Sequence, residues 1–256
     1  MSFETIQFAV KDGIATLILN RPQVMNALNR QMRAEITQAL TNLTEDVRCV
    51  VLTGSGKAFC SGQDLTDASG ALDLEATLRD EYEPMLRAIR DCPAPVIAAV
   101  NGVAAGAGAN LALVADVVIA AESASFVQAF TRIGLIPDAG GTWAIPRAVG
   151  AARAIGMMLF ADAIPARQAA DWGLIWQALP DDEFAQGVTD RARHLAQGPT
   201  AAYLAVRNAV AASFDNDLDE QLRLEARLQG EAGRSADFRE GVAAFLEKRK
   251  PGFIGR

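Results

Sequence analysis

Histidine is nearly missing from this chain: His194 is the sole one in 256 residues. A Ser–His–Asp or Cys–His mechanism needs an imidazole base beside its nucleophile. His194 instead lies in Arg191–Leu195, on a predicted helix, and reads as a surface or packing residue. Cysteine is scarce too. Cys49, Cys60 and Cys92 are widely spaced and form no CxxC pattern, which supports neither a disulfide framework nor a structural zinc site and suits a reducing, cytoplasmic setting. No His/Cys/carboxylate cluster suggests a catalytic metal, so none is expected. Basic residues are outnumbered, and the formal net charge of −7 argues against nucleic-acid or anionic-membrane partners. A small polyanionic ligand needs only a local basic pocket. No charge-free apolar run reaches the roughly 18 residues that span a bilayer. The opening MSFETIQFAVKDG lacks the basic-then-apolar order of a secretory signal.

Half of the residues are apolar, and the length suits one α/β domain with an appendage. Phe3 to Val10 and Ile14 to Leu19 flank Asp12-Gly13 and read as a β-hairpin. Asn29 is a good N-cap for a helix with Met32, Ile36, Leu40 and Leu43 at helical spacing. Cys49 to Thr53, Val96 to Val100 and Asp116 to Ala120 are apolar enough to be buried parallel strands, with Phe126 in a short strand after the third. Residues 57–70 read as a loop, and Leu74 to Arg90 as an amphipathic helix. Two strands are followed by small-residue turns, TGSGKAFCSGQDL and NGVAAGAGANL, a weak internal echo. From Thr142 the chain is mainly helical. Pro199-Thr200 opens a block without a strand candidate. The division expected is a core over residues 1–199 and a helical oligomerisation region over 200–256.

The glycine turns do not spell a nucleotide loop. Gly54-Ser55-Gly56-Lys57-Ala58 has the wrong spacing and no hydroxyl, and Gly106–Leu111 supplies only two glycines of a dinucleotide fingerprint. A strand, a small-residue turn and a helix start at 106–110 leave main-chain N–H groups unpaired where a substrate oxygen can approach closely. That makes a candidate oxyanion hole, with tight helix–strand packing as the competing reading. Asp138, in Ile136–Trp143, is the other candidate. It reads either as an N-cap for a helix beginning near Gly140 or as a general base whose pKa the neighbouring Phe126, Phe130, Leu135 and Trp143 raise by desolvation. A helix N-terminus opposes that rise.

Five stretches together resemble the enoyl-CoA hydratase/isomerase (crotonase) superfamily over essentially the whole chain. They are Asn20-Arg21-Pro22 with Asn26-Ala27-Leu28, Ala58–Leu65, Ala99–Gly102, Gly134–Pro137, and Gly140-Gly141-Thr142. The resemblance implies an α/β spiral of ββα units with a C-terminal helical trimerisation region, a homotrimer or dimer of trimers, and acyl-CoA substrates. No separate cofactor is implied, CoA being part of the substrate. It places the oxyanion hole at the main-chain N–H groups of Gln63 and Ala107. Substrate contacts fall to Val24, Ser61, Asp64, Leu65 and Thr66 around the adenine. Phe130 is expected beside the acyl group, and Asn110 either hydrogen-bonds that group or caps or packs its helix. Lys248 either reaches a CoA phosphate, across a subunit boundary, or belongs to a solvated basic tail.

Hydratases of this family carry two glutamates, and the matching positions here hold Asn110 and Phe130. An amide and a phenyl ring neither activate water nor protonate carbon well. One carboxylate, Asp138, stands where the hydratase pattern has glycine, and a single base suits a proton shuttle. Val103–Gly108, Phe126–Phe130, Ile136–Asp138 with Trp143, and Trp172–Gln177 look like the phenylacetate-degradation branch, whose members isomerise ring-1,2-epoxyphenylacetyl-CoA to oxepin-CoA. The alternatives are a Δ3,Δ2-enoyl-CoA isomerase, a hydratase, a dehalogenase using the aspartate as nucleophile, and an inactive or RNA-binding scaffold.

Overall fold

A computed structural model describes residues 3–67 and 73–256. β1 (Ile6–Lys11) and β2 (Ile14–Leu19) form the expected hairpin, turned by Asp12 and Gly13, both at positive φ. α1 (Arg30–Thr41) starts where Asn29 accepts a hydrogen bond from the Met32 N–H at 3.0 Å. β3 (Cys49–Gly54) and β4 (Ala58–Cys60) follow, then α2 (Leu74–Thr77), a π turn at Leu78–Tyr82, and α3 (Glu83–Arg90). β5 (Val96–Val100), β6 (Val103–Ala105) and α4 (Ala107–Leu113) come next, then β7 (Val117–Ala121) and β8 (Ser125–Val127). A 3-10 turn (Ala129–Ile133) leads to α5 (Gly141–Phe160), β9 (Ile164–Pro165), α6 (Ala166–Asp171) and β10 (Gln177–Leu179). α7 (Asp181–Ala196), α8 (Thr200–Ala212), α9 (Leu218–Ala232) and α10 (Ala236–Glu247) finish the chain.

The strands form two sheets, ordered β1-β2-β3-β5-β7-β10 and β4-β6-β8-β9. Each long strand β3, β5 and β7 is followed by a three-residue strand that crosses to the second sheet, where β4, β6 and β8 pair in parallel. The weak echo in the sequence is therefore a real repeat of β–turn–β–helix, winding into the spiral of ββα units. Two expectations need correcting. The loop expected over 57–70 contains β4 (residues 68–70 of it lie outside the described residues), and the turn expected after Asn101-Gly102 contains β6. Three residues are too short to show a hydrophobic period, and pairing across the second sheet is what makes them strands.

β3 and β5 read as unbroken apolar runs because both faces of the sheet are covered. Val50, Leu52, Val96 and Ala98 join the main core with Met32 and Ile36 of α1 and Met85 and Ile89 of α3. Cys49, Val51, Ile97 and Ala99 face the other way, against Val188, Ala192 and Ala196 of α7. α8 is tied down by Arg207, whose guanidinium donates to Asp116, to Cys92 O (2.7 Å) and to Ala94 O (3.0 Å). α5 and α8–α10 still expose much apolar surface, with Phe160, Phe245 and Leu246 each about three-quarters exposed or more. His194 is exposed on α7, as its sequence context suggested. Among the described residues no helix is long and apolar enough to cross a membrane, and no group of His, Cys, Asp and Glu is placed to hold a metal ion.

Candidate active site

Two tight turns abut, one after β4 and one after β6. Leu28 pairs with the first, donating to Gly62 O at 2.8 Å and accepting from the Asp64 N–H at 3.1 Å. In a trans peptide the N–H points opposite to the C=O. With Gly62 O aimed at Leu28, the Gln63 N–H points away from it, and among the described residues it has no acceptor. The second turn follows β6. Gly106 adopts φ 53°, ψ −129°, a conformation essentially closed to residues with a Cβ. Its carbonyl turns into α4 to accept from Ala109 N (3.0 Å) and Asn110 N (3.2 Å), so the Ala107 N–H is directed outward from the helix start. The turns are close: a Cβ on Gly62 would lie 2.9 Å from Ala105 O and 3.4 Å from Ala107 N. The Phe130 ring tip is 3.8 Å from where a Gly106 Cβ would be, so Phe130 covers this turn.

Asp138 enters from the turn before α5. The residue at the N-cap of that helix is Gly140, and no side chain caps it. The capping reading of Asp138 is thereby removed. Ala139 and Gly140 follow at positive φ (47° and 81°), a sharp turn that leaves the Asp138 carboxyl half-buried. Its Oδ1 is buried without a hydrogen-bond partner. Burial pushes its pKa up to about 6, against the opposing pull of a main-chain N–H. A cavity of about 750 Å³ lies between α2–α3, α4 and the Leu135–Ala144 turn, with Leu74, Leu78, Leu86, Leu135 and Trp143 as apolar walls. Of the carboxylates lining it, Glu83 pairs with Arg87 and Asp116 with Arg207. Asp138 has no cation among the described residues.

Asn110 is buried and also borders the cavity. Its amide nitrogen donates to Asp138 O at 2.8 Å, and its oxygen accepts from Gln128 Nε2 at 2.9 Å. It therefore ties α4 to the Asp138 turn. Gly141 makes room for this contact, since a Cβ there would come within 2.7 Å of the Asn110 Cγ.

The remaining expected residues form a separate group. Ser61 meets Val24, its N–H donating to Met25 O and its hydroxyl to Val24 O at 3.3 Å. Asp64 is engaged internally by Arg21 (2.7 Å) and by the Thr66 hydroxyl (2.6 Å). Chiefly through Thr66 and then Arg21, its carboxyl is held below the ordinary range despite burial. Leu65 and Thr66 are exposed beside a polar cleft lined by Arg21, Arg30, Gln31 and Asp67. Lys248 ends α10 in a left-handed conformation with its side chain exposed, and it does not line the Asp138 cavity. Sequence reading missed Tyr82 and Arg33. Tyr82 lines the cavity and donates its phenol to Gln63 Oε1, and Arg33 donates to the same oxygen at 2.9 Å. The available signal was a tyrosine on an apolar helix face, whose hydroxyl needs a partner once buried.

The family model for enoyl-CoA hydratase/isomerase matches residues 9–256. The chain belongs to the enoyl-CoA hydratase/isomerase family. A relative from Rhodobacter capsulatus described as "Probable enoyl-CoA hydratase" is 63% identical over the full length of both chains. A 1,2-epoxyphenylacetyl-CoA isomerase from Escherichia coli is 48% identical over 99% of each. The crystal structure of an enoyl-CoA hydratase from Bacillus anthracis superposes with a TM-score of 0.91 at 32% identity, covering 99% of this chain and 100% of that one. Neither Gln63 nor Ala107 lines the Asp138 cavity itself; Asn110, which bonds the Asp138 turn, and Tyr82, which bonds Gln63, line it and connect it to the two abutting turns.

Proposed function

We propose that this family member is an acyl-CoA isomerase in which Asp138 is the proton carrier and the Gln63 and Ala107 N–H groups hold the thioester oxygen. The observation that carries the reading is Asp138 itself, the cavity carboxylate with no cation beside it and a pKa of about 6. Near neutral pH that group is ionised and able to take a proton, yet acidic enough as a carboxylic acid to give it back. The carboxylate removes a proton from the carbon beside the thioester, and the negative charge moves onto the thioester oxygen. Two preorganised N–H donors stabilise that enolate, and losing one typically costs about 10²–10³ in rate. Protonated Asp138 then delivers its proton to a carbon further along the conjugated system. With Asn110 and Phe130 at the positions where hydratases have glutamates, Asp138 is left as the one carboxylate lining the cavity, among the described residues, that no cation engages.

The substrate proposed is ring-1,2-epoxyphenylacetyl-CoA, converted to oxepin-CoA. The ring carbon–carbon bond of the epoxide opens electrocyclically, with no proton moved, to give the seven-membered ring. The Asp138 shuttle then carries a proton from the carbon beside the thioester to a ring carbon, leaving the double bond conjugated with the thioester. The similarity to the Escherichia coli isomerase supports it, as do the Trp143 and leucine walls of a cavity large enough for an aromatic acyl group. The CoA portion is assigned to Val24, Ser61, Leu65 and Thr66, and its phosphate to Lys248 from a neighbouring subunit. The exposed apolar faces of α8–α10 are assigned to a homotrimer or a dimer of trimers, to be read by sedimentation. The Rhodobacter capsulatus relative's description favours a second reading, hydration of enoyl-CoA. Parallel assays separate the two. The isomerase reading expects turnover of epoxyphenylacetyl-CoA and Δ3-enoyl-CoA with feeble hydration of crotonyl-CoA. Turnover of straight-chain enoyl-CoA alone overturns the aromatic assignment, and fast hydration of crotonyl-CoA overturns the isomerase reading in favour of hydration.

A further inference from the structure

Behind the first turn lies a closed set of hydrogen bonds that the reaction does not call for directly. Leu28 is bonded to the main chain on both sides of Gln63. The guanidinium of Arg33, one turn into α1 and fully buried, donates to Leu28 O at 2.8 Å and to Gln63 Oε1 at 2.9 Å. It is held from the other side by Glu81, with Nε to Oε2 at 3.1 Å. Tyr82, the next residue of the same π turn, places its ring 4.8 Å from the Arg33 Cζ and its hydroxyl on Gln63 Oε1. π turns interrupt helices at a cost and are frequent at functional sites. Here the interruption lets two consecutive residues reach one buried guanidinium. Burial and the nearby Asp138 charge both hold the Tyr82 phenol in its protonated, donating form, outweighing the opposing effect of Arg33. Tyr82 alone in this set also lines the cavity.

We propose that Tyr82, backed by Arg33, is a positioning residue: by anchoring the Gln63 side chain it fixes the direction of the Gln63 main-chain N–H. This rests on the reading that the Gln63 N–H binds the thioester oxygen. The peptide between Gly62 and Gln63 is pinned at its carbonyl end by Leu28, and the Gln63 side chain is the second anchor point. With both fixed, the donor cannot swing as charge develops on the oxygen, and such preorganisation is where oxyanion donors gain their effect.

The test uses the intact protein and a dimethylaminocinnamoyl thioester of CoA, a chromophore whose absorption moves to the red as its carbonyl is polarised. The wild type is expected to shift the band on binding. Tyr82→Phe, which removes one oxygen and keeps the ring, is expected to lose a large part of that shift and to lower kcat about tenfold with KM little changed. Gln63→Met removes the side-chain acceptor and keeps the main-chain N–H. In that background Tyr82→Phe is expected to add nothing. A full red shift in Tyr82→Phe, or an equal loss with and without Gln63→Met, overturns the inference. Should Tyr82→Phe fail to fold, Gln63→Met alone must show the loss, and a full shift there is equally decisive against it. A wild type that binds the chromophore without any shift instead refutes the oxyanion reading itself.

Discussion

Replacing Asp138 by Asn is expected to make the protein more stable at neutral pH while removing its activity. The carboxyl is half-buried, with one oxygen fully buried and without a hydrogen-bond partner, and its pKa is raised from 3.8 to about 6. A carboxyl with a raised folded pKa favours the folded state in its protonated form. That contribution is complete below the unfolded value and is lost as pH rises through about 6. At about 1.4 kcal/mol per pKa unit, the ionised wild type forfeits on the order of 3 kcal/mol by pH 8 relative to acid. The amide cannot ionise and forfeits nothing. Its own cost, an unpartnered NH₂ in place of an oxygen, is independent of pH over this range. Urea unfolding of both proteins at equal concentration, at about pH 4 and pH 8, isolates the effect as a difference of differences. The variant's advantage should widen by roughly 2–3 kcal/mol between the two and level off above about pH 7. A gap that stays constant across this range would show that Asp138 is not desolvated, and the basis for calling it a poised base would go. Without urea, turnover of Δ3-enoyl-CoA by the variant should fall by roughly 10²–10⁴ if Asp138 is the base proposed above.

Other residues give independent checks. Gly106→Ala forces a Cβ into φ 53°, ψ −129°, costing on the order of 1–3 kcal/mol. Since relief requires the turn to move, kcat should drop more than thermal stability does. Asn110→Ala releases Asp138 O and leaves Gln128 Nε2 without its acceptor. A loss of about 1–3 kcal/mol in urea unfolding is expected, with a lowered kcat. Arg207→Ala breaks the pair with Asp116 at the cavity wall and frees two main-chain carbonyls. Unfolding free energy should fall by about 2–4 kcal/mol. Unchanged stability in that variant would show that α8 is held by other contacts.

Long elements and turn chemistry were legible in the letters because they are local. Asn29 caps α1 through its own side chain, the apolar runs at 50, 97 and 118 are strands because covered sheets need both faces apolar, and the Gly106 turn announces itself by composition. Asp138 stood out for a similar reason, as one charge in an apolar turn. By themselves the letters determined the α/β class, the three long strands and the helical C-terminal block. Only the folded structure decided the rest, because those properties belong to groups far apart in sequence. β4, β6 and β8 exist by pairing with one another over some 45 and 22 residues of chain. The pKa of Asp138 is set by what buries it, against the opposite pull of its own turn. Asn110 became a strut when α4 packed beside α5, and Tyr82, one more aromatic on a helix face, gained its role when the π turn brought it against Gln63, 19 residues earlier.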